Sequence, residues 1–343
     1  MTSVRVRLPA NTTNPSRRRA AITTSLAAFL LSAGWLYQRK GQRRDALSFQ
    51  APGVLVDIGG RRLHVIRSGR GTPGRAVVIL PALGATALEW HRVTAAMPED
   101  ITVYVVDRGG LGWSDPVAPG PRSPRTLATE ATALLDALGL TSVVLVGHSY
   151  GGLVARVVAA AHPERITGLV LVDSSHEHQM RPLAAASSHL RSTELWRTAI
   201  RAQARPLGWY RAWHDLTGRR RLIRDAGREV GEQQAPAAVA RALTSAHRRA
   251  VVGELLGMAL APRTVPEWTR RLGDLRMTVL TVGDGHGWGP AYPAWLDMQR
   301  LLVSMSSRSR HLVLSGTGHH MNHDVPDAVA HAIVELLPDR PSR

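Results

Sequence analysis

The chain has 343 residues, 44% of them hydrophobic, with a formal net charge of +17 and no cysteine. This apolar content can fill a sizeable core and argues against global disorder, while the missing cysteine excludes a disulfide framework, a thiolate metal site and a cysteine nucleophile. The charge does not point to a nucleic-acid partner: Lys40 is the only lysine, and the arginines are scattered without the aromatic interleaving of RNA- or ssDNA-binding surfaces.

Residues 1–19 read as a basic tail. The segment AAITTSLAAFLLSAGWLY (20–37) follows Arg17-Arg18-Arg19 and precedes Arg39-Lys40 and Arg43-Arg44. About 18 uncharged residues can just cross a bilayer core as a helix. The segment is therefore read as a transmembrane signal anchor, with its basic flanks attracted to anionic head groups. Two alternatives stay open. Ser16-Arg17-Arg18 resembles a twin-arginine export signal, although no A-x-A cleavage site follows. The segment could also be an amphiphilic helix lying on the protein or on a membrane surface. Residues 38–52 read as a linker.

From Val54 onward, short β-branched runs alternate with helical patterns, which signals βαβ units and a parallel sheet. Strands are predicted at 54–58, 62–67, 76–80, 102–106, 142–147, 166–172, 277–282 and 311–314. Gly59-Gly60 makes the first two an antiparallel hairpin; the others are apolar on both faces, as buried parallel strands are. Helices are predicted at 127–138, 152–161, 295–304 and 328–337. Residues 174–276 have helical but no strand character and are too long for an ordinary connection. They are expected to form a helical cap, with Trp196, Trp209, Trp213 and Trp268 in the cap core and Arg219-Arg220-Arg221 on a solvated face.

Gly147-His148-Ser149-Tyr150-Gly151 matches G-x-S-x-G and sits between an apolar strand and a helix, the context in which a strained turn exposes a nucleophilic serine. Serine at its free pKa needs a base oriented by an acid. Asp284 follows the strand at 277–282, and His319-His320 follow the strand at 311–314, so both emerge on the rim that carries Ser149. No residue pattern calls for a metal or another cofactor.

With DRGGLGWSDP (107–116), LVLVDSSHEHQ (169–179) and GTGHHMNHDVPDAV (316–329), the chain resembles the α/β-hydrolase fold superfamily, in its serine hydrolase branch with a helical cap domain. The resemblance covers roughly residues 54–338. It implies a mostly parallel eight-stranded sheet flanked by helices, a core of 53–173 and 277–338, and a cap at 174–276 inserted before the acid-bearing strand. Counting from His319, the acidic residue and proline found in relatives fall on Asp324 and Pro326, so the resemblance implies His319 as base and leaves His320 and His323 as pocket wall or local hydrogen-bond partners. It implies Asp284 as the acid, with Asp173 as the reserve, while Asp107 braces its loop. The oxyanion hole would use the backbone N–H groups of Tyr150 and Leu83. Relatives carry His-Gly where this chain has Pro81-Ala82.

The expected activity is a serine hydrolase working through a Ser149–His319–Asp284 triad and an acyl-enzyme, on a small-molecule carboxylic ester. The alternatives are an amide-cleaving enzyme of the proline iminopeptidase type, and a non-catalytic membrane-anchored protein of the same fold.

Overall fold

A computed structural model describes residues 15–71, 73–180, 208–284 and 288–338. Its centre is one eight-stranded sheet: β1 (Val54–Asp57), β2 (Arg62–Ser68), β3 (Ala76–Leu80), β4 (Thr102–Asp107), β5 (Val143–His148), β6 (Ile166–Val172), β7 (Met277–Val282) and β8 (Ser309–Leu314), in the order β1-β2-β4-β3-β5-β6-β7-β8. β1 and β2 form the expected antiparallel hairpin, and β2 also runs antiparallel to β4. From β4 to β8 every pairing is parallel.

The uniformly apolar strands are explained by two cores, one on each face. In β5, Val143 and Leu145 enter one core, while Val144 and Val146 enter the other. Successive side chains point to opposite faces, so a strand covered on both sides must be apolar throughout. The helices α2 (His91–Ala96), α3 (Pro124–Ala137), α4 (Tyr150–Ala161), α10 (Tyr292–Val303), α11 (Met321–Asp324) and α12 (Pro326–Val334) provide that cover. α3 starts earlier than expected because Ser123 Oγ accepts the Thr126 N–H and Pro124 takes the first helical position.

Between β6 and β7 the described residues hold α5 (Trp209–Thr217), α6 (Arg219–Val230), α7 (Ala235–Ala242), α8 (Ser245–Ala259) and α9 (Ala261–Thr264). The expected burial of the tryptophans fails here: Trp209, Trp213 and Trp268 are 46%, 64% and 52% exposed. Trp196 lies outside the described residues. Of the three arginines assigned to a solvated face, Arg220 and Arg221 are exposed, whereas Arg219 is half-buried against Asp215.

The N-terminal helix α1 (Pro15–Ser48) has 34 residues and runs without a break into the stretch read as a linker. The reason is packing. Among its described side chains the buried positions are Gly34, Gln38, Gly41 and Asp45, one stripe along the helix, and this stripe docks on the inserted helices. Gln38 Nε2 donates to the Leu243 carbonyl (2.7 Å), and Arg211 donates to Asp45 (2.6 Å) inside the contact. By length and composition α1 is the one helix among the described residues that could cross a membrane.

Candidate active site

The carboxyl ends of the parallel strands bring the loops after β3, β4, β5, β6, β7 and β8 to one rim. Ser149 stands at the turn from β5 into α4 with φ 51° and ψ −120°, a conformation rarely populated by a residue with a Cβ. The flanking glycines permit that turn. A Cβ on Gly147 would lie 2.4 Å from Gly152 Cα, and one on Gly151 would lie 2.1 Å from the Leu80 carbonyl oxygen. Two backbone bonds tie the turn to the next strand end: Ser149 N–H donates to the Val172 carbonyl (3.1 Å) and Ser175 N–H to the Ser149 carbonyl (2.9 Å).

The carboxylate beside His319 is Asp173, not Asp284. His319 Nδ1 lies 2.5 Å from Asp173 Oδ2. Asp173 is fully buried at the end of β6 with φ 40°, and its other oxygen accepts from Trp295 Nε1 (2.8 Å) and from the Val282 N–H (3.4 Å). Asp284 is exposed, and its Oδ2 accepts the Gly316 N–H (2.6 Å), bracing the turn that leads to His319. The order of motifs along the chain could not separate the two, because both acids end neighbouring strands, β6 and β7. Depth separates them: Asp173 points under the His319 ring, where α10 offers an indole donor, and Asp284 stands on the rim.

His319 is held from several sides. Its ring contacts Trp288 and Trp295 edge-on, with centroids 5.6 and 6.1 Å away, and those two indoles stack on each other at 4.0 Å. The His148 ring, adjacent in sequence to Ser149, lies 4.9 Å from the His319 ring. Burial and then the neighbouring His319 hold the His148 imidazole well below its ordinary pKa, so it is neutral, and its Nε2–H donates to the His319 carbonyl (2.8 Å). Trp295 and His148 are site residues that sequence reasoning did not select. The sequence signals were the place of His148 inside the G-x-S-x-G motif and an aromatic in the helix after β7. His320 is exposed, and His323 donates from Nε2 to the Arg228 carbonyl.

The loop Pro81-Ala82-Leu83-Gly84 leaves β3 where Leu80 pairs with Gly147 of β5, so it runs beside the Ser149 turn. A buried ion pair holds this loop. Arg108, in the loop after β4, donates to the Pro81 carbonyl (2.5 Å) and the Ala82 carbonyl (2.7 Å). It also makes a fork to Glu254 of α8, Nε to Oε1 at 2.7 Å and Nη2 to Oε2 at 2.9 Å. Glu254 Oε2 then accepts the Gly84 N–H (2.9 Å). One carboxylate from an inserted helix thus fixes the loop that carries Leu83. Asp107 braces the neighbouring loop as expected, accepting from Ala87 N–H (2.7 Å) and Trp113 N–H (3.2 Å) and contacting His64 Nδ1 (2.7 Å).

A second buried clamp fixes the loop after Asp173. Arg156 of α4 pairs with Glu177, which Arg270 also reaches at 3.0 Å. Burial pushes the Glu177 carboxyl up, but the Arg156 guanidinium and His176 outweigh it and hold it at about 2. Gln299 Nε2 donates to the Ser174 carbonyl (2.8 Å), pinning the same loop to α10.

Beside Gly84, a cavity of about 340 Å³ opens between the Thr86–Glu89 turn and α5 to α8. Leu222, Val239 and Leu243 line its apolar side, and Glu89, Asp225 and Glu229 its acidic side. Burial, reinforced by the Glu229 and Asp107 carboxylates, raises the Glu89 carboxyl to about 7.

Residues 75–273 match the model of the alpha/beta hydrolase fold family. Among curated proteins the chain is similar to a proposed carbamate hydrolase, RutD, of Caulobacter segnis, with 38% identity over 29% of this chain and 38% of that one. It is also similar to a soluble epoxide hydrolase of a Corynebacterium species, with 34% identity over 34% of this chain and 39% of that one. Lipase LipV of Mycobacterium tuberculosis shares 40% identity over 32% of this chain and 41% of its own. These matches span about two fifths of each relative. Among solved structures, a proposed epoxide hydrolase of Pseudomonas aeruginosa superposes with a TM-score of 0.62 at 21% identity, covering 83% of this chain and 94% of that one.

Proposed function

Because the chain belongs to the α/β-hydrolase fold family, we propose that it is a serine hydrolase in which Ser149 is the nucleophile, His319 the general base and Asp173, rather than Asp284, the orienting acid. The observation that carries this reading is the 2.5 Å contact between His319 Nδ1 and the buried Asp173 carboxylate, with the His319 ring packed against the residue preceding Ser149. In this reading His319 Nε2 takes the Ser149 proton as Oγ attacks a carbonyl carbon. Asp173 keeps the other ring nitrogen protonated and stabilises the imidazolium. The Tyr150 and Leu83 N–H groups bind the oxyanion. His319 returns the proton to the leaving group, and water then attacks the acyl-enzyme by the same route. The core comprises residues 53–173 and 277–338, and residues 174–276 are the cap.

The substrate class proposed is a small-molecule carboxylic ester, in keeping with the lipase among the relatives. A serine at the nucleophile position argues against the aspartate-based chemistry of epoxide opening. One observation favours amide cleavage as the second reading: the carboxylates of Glu89, Asp225 and Glu229 beside Gly84 could hold a substrate ammonium group. Residues 20–37 of α1 are proposed as a membrane span that tethers the enzyme, with export by the same segment as the alternative.

A fluorophosphonate probe tests the nucleophile: labelling of the folded protein that disappears in Ser149→Ala is the expected result, and an unlabelled wild type would overturn the reading in favour of a non-catalytic protein. A panel of 4-nitrophenyl esters set beside aminoacyl anilides separates ester from amide.

A further inference from the structure

We propose that α5 is a membrane-interfacial element, with Trp209, Trp213 and Leu216 seated in the head-group layer of an anionic bilayer that α1 crosses. The proposal rests on the reading of residues 20–37 as a membrane span.

The first observation is an exposed apolar stripe. Trp209, Trp213 and Leu216 are 46%, 64% and 84% exposed, and their spacing of four and three residues puts them on one face of α5. Tryptophan at a helix surface is at home where an apolar ring meets a wet edge, which is why it concentrates at membrane–water boundaries.

The second observation fixes the depth of that stripe. All of residues 18–33 of α1 are exposed, including Ile22, Leu26 and Phe29. The apolar part of this free length, residues 20–33, rises only about 21 Å as a helix. A hydrocarbon core is about 30 Å thick, so a span has to use the whole run to Tyr37, about 27 Å. The last turn of that span is already docked. Gly34 is buried against Gly208, the N-cap of α5, so closely that a Cβ on Gly208 would lie 1.9 Å from the Gly34 carbonyl oxygen. Tyr37 Oη donates to Asp215 of α5 (2.8 Å). The Arg211–Asp45 pair and the Gln38–Leu243 bond lie further along the same contact. A helix that crosses the bilayer through Tyr37 therefore carries α5 to the level where the hydrocarbon ends.

The charge is arranged to match. Arg39 lies over the Trp35 ring at 4.7 Å, and Arg39, Lys40, Arg43 and Arg44 are exposed just past the span. Arg220 and Arg221 are exposed just past the α5 stripe. Cations at this level would meet lipid phosphates and be attracted to an anionic surface. The inserted helices would thus be held by two membrane contacts, which orients the rim at a fixed distance from the lipid.

The cysteine-free chain allows a direct test. Trp213→Cys, Leu26→Cys and Asp297→Cys in the full chain are each labelled with an environment-sensitive fluorophore and reconstituted in phosphatidylcholine–phosphatidylglycerol vesicles. Lipids carrying a shallow doxyl quencher and aqueous iodide then report location. The expected result is a blue shift and doxyl quenching for Leu26→Cys and Trp213→Cys, against iodide quenching alone for Asp297→Cys. Leu216→Cys is expected to follow Trp213→Cys and guards against a local effect of losing the indole. Iodide quenching of Trp213→Cys while Leu26→Cys stays in lipid would overturn the interfacial role and leave the span intact. A Trp213→Cys label shielded from both quenchers would mean that a protein surface, such as a second copy, covers the stripe, and would overturn it too. Iodide quenching of Leu26→Cys as well would remove the span itself.

Discussion

Asp173 Oδ2 lies 2.5 Å from His319 Nδ1, joining residues 146 positions apart at the ends of β6 and β8. Asp284, at the end of the intervening strand β7, instead accepts the Gly316 N–H. If Asp173 orients the base, Asp173→Asn should lower kcat on a 4-nitrophenyl ester by about 10⁴, because the amide stabilises the wrong tautomer. Asp284→Asn should cost no more than about tenfold, since one loop hydrogen bond contributes about 1 kcal/mol. Steady-state kinetics of the two variants decide between the acids, and the reverse ranking would return Asp284 to the role.

Trp295 donates its indole N–H to Asp173 Oδ1. Trp295→Phe keeps the stack on Trp288 and removes the donor to Asp173 Oδ1. A hydrogen bond to a charged group contributes about 1.5–3 kcal/mol, so kcat should fall roughly 10- to 100-fold. A role in packing alone would lower the melting temperature and leave kcat unchanged.

The Arg108–Glu254 fork holds Pro81, Ala82 and Gly84 at once. Glu254→Ala leaves a buried guanidinium without its partner and should destabilise the fold by about 3–5 kcal/mol in denaturant titration. The double change Arg108→Met with Glu254→Met removes both charges and should recover most of that stability. Its kcat should remain about 100- to 1000-fold low, the usual cost of a misplaced oxyanion donor. Full recovery of kcat in the double variant would show that the loop needs no brace.

Glu89 supplies a pH dependence of known sign. Its carboxyl is raised to about 7 in the fold, mainly by burial and secondarily by Glu229 and Asp107, so the folded state binds the proton more tightly than the unfolded chain does. Its contribution to stability is therefore fully present below the unfolded pKa near 4.5 and is lost as pH rises towards 7. Glu89→Gln mimics the protonated form and should match the wild type at about pH 4 but exceed it in stability at about pH 8. Urea midpoints at the two pH values test this, and equal differences at both would refute it.

Gly208 sets the docking of α1. Its φ of 75° and the nearby Gly34 carbonyl leave no room for a side chain. Gly208→Ala should therefore release α1 and speed tryptic cleavage at Arg39, Arg43 and Arg44, while an unchanged cleavage rate would place the docking energy in the Arg211–Asp45 pair instead.

What could be read from the sequence alone was whatever depends on local periodicity and order. The parallel sheet is legible because strands buried on both faces must be continuously apolar, as Val143 to Val146 are. The Ser149 turn is legible because Gly147 and Gly151 are demanded by contacts within a few residues. The choice of acid was not legible. Asp173 and Asp284 both end strands on the same rim, and only the depth of β6, with the Trp295 indole arriving from a distant helix, separates them. The Glu254 brace was hidden for the same reason, because it joins α8 to loops about 150 and 170 residues earlier. The exposed tryptophans of α5 ran against expectation, since composition favours burying a large ring and says nothing of which neighbours arrive to cover it. Hydrophobic pattern fixes which face of an element seeks cover; only tertiary packing decides which partner supplies it, and at Trp209 and Trp213 that cover is partial.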